Sequence, residues 1–162
     1  MIKTHILQID NADIIKDIES RTFKFGKAHD GMATGIGRAK VSYTEKLVNN
    51  VKLTDLGYDR ALVIGWIDEA IGNIRSAFMK YNGTIETAGS GELKQTRVTF
   101  SLSSKWPTAN GDGFNKDCRE YVVNYVISDF LSLSLPGESE LYAQKAMQAL
   151  KDAERKLYYK TA

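Results

Sequence analysis

The glycines hold the most chemical promise in this chain. Gly31-Met32-Ala33-Thr34-Gly35-Ile36-Gly37-Arg38-Ala39 has the spacing of a dinucleotide-binding turn, in which bare backbone lets a pyrophosphate approach a helix N-terminus. That chemistry needs a buried apolar strand directly upstream. The residues there, Thr22-Phe23-Lys24-Phe25-Gly26-Lys27-Ala28-His29-Asp30, are too charged for a central parallel strand. The Tyr-x-x-x-Lys dyad that accompanies one class of such turns also fails, because Tyr142-Ala143-Gln144-Lys145 is one residue short. Gly26-Lys27 is followed by Ala28, so the hydroxyl of a phosphate-cradling Gly-Lys-Ser/Thr loop is missing too.

The remaining reactive side chains do not cluster. His5 and His29 are far apart, with no carboxylates at ligand spacing, so neither a zinc site nor a Ser-His-Asp arrangement is indicated, and both read as surface histidines. Asp68 and Glu69 are adjacent in a helical stretch, point in different directions and read as solvated charges. Cys118 is the only cysteine, which excludes an internal disulfide. It lies on an apolar helical stripe without a neighbouring histidine, and reads as a small buried hydrophobe in a reduced, cytosolic setting. No catalytic, cofactor-binding or metal-ligating set is expected, and the chain reads as a non-enzyme.

Charge is unevenly spread. Between residues 20 and 52 seven basic groups (Arg21, Lys24, Lys27, Arg38, Lys40, Lys46, Lys52) face two acidic ones, Asp30 and Glu45, although the net charge of the whole chain is only +2. The rest is therefore mildly acidic. The basic stretch is either a solvated loop or an arm that meets an acidic partner or DNA phosphates. Near the C-terminus Arg155-Lys156 precede Tyr158-Tyr159, which would suit base stacking or, more simply, packing against the core beside helix-end cations.

Positioning these residues falls mostly to helices. Asp10-Asn11 cap a short first helix with Ile14, Ile15 and Ile18 at helical spacing, expected to end near Arg21. Four glycines between Gly26 and Gly37 point to a loop, and residues 38–53 fit helix and strand equally; together 22–53 reads as a basic, glycine-containing arm or mobile loop. Leu56 to Tyr81 has a clear 3.6-residue period, with Leu62, Trp66, Ile67, Ala70, Ile74, Ala77, Phe78 and Tyr81 on one face, and reads as a long central strut. Gly65 and Gly72, seven residues apart inside it, would admit a close neighbouring helix. Asn82-Gly83 ends the helix by left-handed cap chemistry.

The period then changes. Thr84-Ile85-Glu86-Thr87, a Gly89-Ser90-Gly91 turn, and an alternating stretch Leu93 to Ser103 form a hairpin, with Val98, Phe100 and Leu102 on one side and Arg97, Thr99 and Ser101 on the other. A lone hairpin is marginal in water, so it must pack on helices or extend a sheet with a neighbour. From Gly113 to Lys160 two apolar-faced helices fold back at Leu135-Pro136-Gly137. The first carries Phe114, Cys118, Tyr121, Val122, Tyr125, Val126, Phe130 and Leu133; the second carries Tyr142, Ala146, Met147, Ala149, Leu150, Ala153 and Leu157. The expected fold is mainly α with one β-hairpin, an α+β single domain over 1–162. A content of 43% hydrophobic and 26% charged residues suits such a globular chain. No apolar run is long enough for a membrane span or signal peptide.

Tyr121-Val122-Val123-Asn124-Tyr125-Val126-Ile127-Ser128-Asp129-Phe130, then Glu140-Leu141-Tyr142-Ala143-Gln144-Lys145-Ala146 and Arg155-Lys156-Leu157-Tyr158-Tyr159-Lys160, are similar to the C-terminal helices of phage structural proteins. With the element order, this resembles the small head-tail connector or head-completion (neck) proteins of tailed bacteriophages and prophages, over about residues 56 to 160. The resemblance implies a non-enzymatic, ring-forming virion subunit. Its partners would be copies of itself and the portal and tail proteins, with DNA contact an open question. It would reside in the virion, and in the bacterial cytoplasm before assembly. Arg97, Thr99 and Phe100 of the hairpin and Lys24, Lys27, Arg38 and Lys40 of the arm are the expected interface residues. The alternative is a nucleic-acid-binding accessory protein that uses the basic segment 20–52.

Overall fold

The computed structural model describes the backbone over residues 2–33, 57–132 and 135–158, and side chains over 2–22, 61–132 and 135–158. The described part is mixed α+β. Strand β1 (Ile2–Asp10) runs into helix α1 (Asn11–Ala33); α2 (Gly57–Ala77) ends in a 3-10 turn, Met79–Tyr81; strands β2 (Thr84–Ala88) and β3 (Gln95–Ser103) follow, then α3 (Gly111–Leu131) and α4 (Pro136–Leu157).

The hairpin of β2 and β3 forms as its alternation predicts, but it is not alone. β1 pairs with the other side of β3 in antiparallel register from Ile2 opposite Ser103 to Asp10 opposite Gln95, so the sheet order is β1-β3-β2. Alternation divides the sheet cleanly. Leu7, Ile9, Val98, Phe100 and Leu102 are buried against the helices, while Ile2, Thr4, Ile6 and Gln8 of β1 and Arg97 of β3 face away. The hairpin thus packs on the helices and also gains a third strand from residues 2–10 of the same chain.

Helix α3, rather than α2, is central. Phe114, Cys118, Tyr121, Val122, Val123, Asn124, Val126, Ile127 and Leu131 are all buried, which covers most of its circumference. α4 lies antiparallel along it. Pro136 starts that helix where its missing N–H costs nothing. Tyr142, Ala146, Ala149, Ala153 and Leu157 then form its buried seam, the alanines allowing close approach. Ser128 and Ser139 tie the two helices reciprocally, each hydroxyl donating to the other's carbonyl at 2.8 and 2.7 Å. Met147, expected on the seam, is half exposed, and Tyr125, Phe130 and Leu150 are only partly covered. Leu133 lies outside the described residues.

The expected face of α2 holds at Ile67, Ala70, Ile74 and Phe78, with its edge shifted towards Val63 and Ile71. Val63, Ile67, Ala70, Ile71, Ile74 and Phe78 are buried, whereas Leu62 is half exposed and Ala77 exposed. A step of one residue is about 100° on a helix, and Val63 and Ile71 fit the core side as well by period as Leu62 does. Asn82 ends the segment in the left-handed region (φ 52°), as its type favours.

α1 also differs from expectation, running to Ala33 through Gly26 and Gly31 instead of opening into a loop at Gly26. A helical glycine costs only about 1 kcal/mol against alanine, and Lys27 and Ala28 between these two are good helix formers. Residues 34–56, including the ambiguous 38–53, lie outside the described residues. Among the described residues no helix is long and apolar enough to cross a membrane.

Among the described residues, no neighbouring helix packs on the two glycines of α2. A Cβ built on Gly65 or Gly72 meets nothing within 4 Å. Gly65→Ala and Gly72→Ala should each raise the unfolding free energy by about 1 kcal/mol through helix propensity alone. Urea midpoints at unchanged slope measure this; destabilisation by either alanine would show that this helix face is packed against.

Candidate functional site

Three places gather polar or exposed side chains, and they can be compared by what their groups are able to do. The first is a cleft of ≈ 440 Å³ between α1, α3 and α4, lined among others by Arg21, Asp117, Glu120, Asn124, Tyr142 and Lys145. Five charged side chains meet there, which is what a catalytic centre would need. Three of them, Arg21, Glu120 and Asp117, are held in ion pairs. Arg21 donates through both terminal nitrogens to Glu120, at 2.9 and 2.5 Å, and reaches Asn124 Oδ1 at 3.5 Å. Its hydrogen bond to Glu120 raises the guanidinium above its ordinary value, and the same bond holds the Glu120 carboxyl below its own. Asp117 is paired with Lys156, and Arg119 bridges to Asp17 at 3.4 Å. A carboxylate held ionised by a fixed guanidinium is a poor proton donor and a weak base. The cleft is a polar clamp that fastens α1 to α3.

The second place lies where α2 meets α3. Asn73 donates to the Tyr121 hydroxyl at 3.2 Å, and the Tyr121 and Tyr125 rings are 5.7 Å apart. Burial, then the Glu69 carboxylate that Tyr125 bonds, push the Tyr125 hydroxyl up to about 12; burial and Glu69 likewise raise Asp129. Burial raises Tyr121 as well. Both phenols are therefore held protonated, and no activated nucleophile stands beside the carboxylates. Cys118 is fully buried and its thiol is pushed far up by desolvation, as its place on the apolar stripe predicts. Among the described residues no group of three or more His, Cys, Asp or Glu is arranged to hold a metal ion.

The third place is the open side of the sheet. Arg97 stands exposed there, donating to Gln8 Oε1 at 3.3 Å, and Thr99 is half exposed between its cross-strand neighbours Ile6 and Thr84. Ile2 is 72% and Ile6 48% exposed on the same face. Phe100 is different: it is fully buried, pointing into the helices, so it cannot contact a partner as expected. The side of β3 that carries Val98 and Leu102 carries Phe100 too, and the period-2 rule separates it from Arg97 and Thr99. Lys24 and Lys27 fall within α1, with side chains outside the described set, and Arg38 and Lys40 lie outside the described residues.

The surface residues of β1 were not anticipated, though Ile2, Thr4, Ile6 and Ile9 carry a β-branched signal that could have revealed the strand. His5 is not the surface residue that its sequence context predicts. It sits half-buried against Trp106 and Phe114, with ring centroids 5.1 and 5.6 Å away. Its partner also fixes its tautomer. Asn115 Nδ2 donates to Ile6 O at 3.3 Å, which leaves Oδ1 to face His5 Nε2 at 2.8 Å, so Nε2 carries the proton.

No family model, curated protein or solved structure matches this chain. The site must be read from its own geometry.

Because the folded pKa of Glu120 is depressed, its pairing stabilises the fold above the ordinary glutamate range, and that contribution disappears as the pH falls through the folded value. Arg21→Ala should cost about 1 kcal/mol at neutral pH, discounted for the partial exposure of both side chains. The difference from wild type should shrink towards zero in acid. Chemical denaturation of both proteins across pH tests this; a pH-independent difference would mean that Arg21 acts by packing instead.

Proposed function

We propose that this chain is a non-enzymatic structural subunit that works by joining copies of itself, as a ring-forming head-tail connector or head-completion subunit of a tailed phage or prophage. The supporting observation is the asymmetry of the sheet. One face is closed by helices, while no described element covers the other face or the outer side of β2, and on the outer side of β1 the contact shown is that of Asn115 with Ile6 O.

Open edges are normally blunted by proline, by bulges or by a covering element. The nine residues of β1 and the five of β2 contain no proline, and on β1 one side chain, Asn115, reaches an edge carbonyl, Ile6 O. That bond also orients the ladder. If Ile6 O points away from β3, the alternation of an antiparallel pair turns the backbone groups of Thr4 and Gln8 outward as well. Carried across β3, the same alternation turns those of Ile85 and Thr87 outward on β2. Joining the β2 edge of one copy to the β1 edge of the next is a head-to-tail contact, the kind that closes into a ring when the rotation allows.

In this reading Arg97, Thr99, Ile2 and Ile6 line the flank of the joint, and the basic segment 22–53 reaches the portal, the tail or DNA. The internal pairing of the charges in the α1-α3-α4 cleft supports a role without chemistry. The alternative, an accessory protein that binds nucleic acid through residues 20–52, would show steep loss of binding with salt and no dependence on the strand edges.

Thr87→Pro and Thr4→Pro each remove an outward N–H without taking a bond from the internal ladder, so they should fold with nearly unchanged thermal midpoints. Sedimentation across a wide concentration range should show the wild type forming a closed oligomer and both variants remaining monomeric. A wild type that stays monomeric throughout, or assembly untouched by both prolines, rules out the edge-joined ring.

A further inference from the structure

At the C-terminal end of α4, a second cleft of ≈ 380 Å³ brings together residues from distant parts of the sequence: Lys80 and Tyr81 from the turn after α2, and Glu154, Arg155 and Tyr158 from the end of α4. We infer that this cleft binds single-stranded nucleic acid, with one base lodged between the tyrosines and its flanking phosphates on Lys80 and Arg155. The inference does not depend on the assembly proposed above, since it uses neither the sheet nor the basic arm.

The first argument is that the walls are fixed. Tyr81 is partly buried and packed against the core. The backbone N–H of Tyr158 donates to Glu154 O at 3.1 Å, while its side chain is 62% exposed. The helix end that carries it is anchored, because Lys156 O accepts from Trp106 Nε1 at 2.9 Å and from Asn110 Nδ2 at 3.3 Å, and the Lys156 ammonium pairs with Asp117. A tyrosine so exposed at a pinned position gives the fold little, yet it offers a flat face at small ordering cost.

The second argument is charge. Lys80 Nζ stands 5.1 Å from the Tyr81 ring centroid, and the Arg155 side chain is 76% exposed, with a single weak 3.5 Å contact to Asp152. To reach a phosphate beside a stacked base, Lys80 would turn away from the Tyr81 ring and Arg155 from Asp152. Glu154 is the anion among the lining residues. It is an acceptor suited to an exocyclic amine, so a strand of cytosines is the appropriate probe. The volume is at the low end for small-molecule sites and takes a single planar ring, with the strand continuing outside.

Fluorescence anisotropy with a labelled oligodeoxycytidine decamer tests the inference on the intact chain. Two phosphate contacts predict that log K falls against log salt with a slope of about −1.4. Tyr158→Ala should weaken binding about five- to 150-fold, and Tyr158→Phe, which keeps the ring, should restore it. The Lys80→Ala, Arg155→Ala double variant should flatten the salt slope. Absence of binding by a folded wild type overturns the proposal. So does binding unaffected by Tyr158→Ala, or binding lost on neutralising Lys24 and Lys27 but indifferent to Lys80 and Arg155, which would put the nucleic acid on the basic arm.

Discussion

Three phenyl rings from three different elements meet at the centre of this protein, and the arrangement of sheet and helices follows from their contact. Phe78 directly follows α2, Phe100 lies midway along β3 and Phe114 occupies the first turn of α3, with centroids 5.6 to 6.2 Å apart and two of the three pairs edge to face. All are essentially fully buried. Each such pair is worth about 0.5–1.5 kcal/mol beyond the area it covers. His5 adds an edge contact to Phe114, so β1 joins through the same cluster. Backbone must come close for this to work. A Cβ on Gly83 would lie 3.1 Å from the Phe100 ring and one on Gly111 only 2.8 Å from the His5 ring, so both positions exclude a side chain unless a ring moves.

From that cluster α3 extends as the axis on which the other helices are laid. Its surroundings change along its length: sheet and aromatic rings near Phe114, α1 through the Glu120 and Arg119 ion pairs, α2 through Tyr121, and α4 along its whole side. Polar groups at these joints are matched to each other, Arg21 with Glu120, Arg119 with Asp17 and Ser128 with Ser139. Among the described residues, the outer face of the sheet and the cleft of Lys80, Tyr81, Arg155 and Tyr158 at the end of α4 remain uncovered.

Much of this was legible in the residues. Period 3.6 announced α2, α3 and α4, the shift to period 2 announced the hairpin, and Asn82, Pro136 and Cys118 behave as their chemistry dictates. Other features depended on partners distant in sequence. β1 pairs with residues more than eighty positions away, and no local turn signal accompanies it. The sequence points to α2 as the centre because its one-sided pattern is cleaner; a helix buried nearly all round, as α3 is, has no polar face to set the contrast. The Arg21–Glu120 clamp spans 99 residues. The meeting of Lys80 and Tyr81 with Arg155 and Tyr158 likewise arises only when the end of α4 docks beside the turn after α2.

Native-state hydrogen exchange on wild type and Phe114→Ala tests the central role of the ring cluster most directly. If the cluster couples the elements, the slowest amides of β1, β3, α2 and α3 should all lose the same protection free energy, about 3–5 kcal/mol for a fully buried phenylalanine. Loss confined to the first turns of α3, with β3 and α2 retaining wild-type protection, would contradict the account.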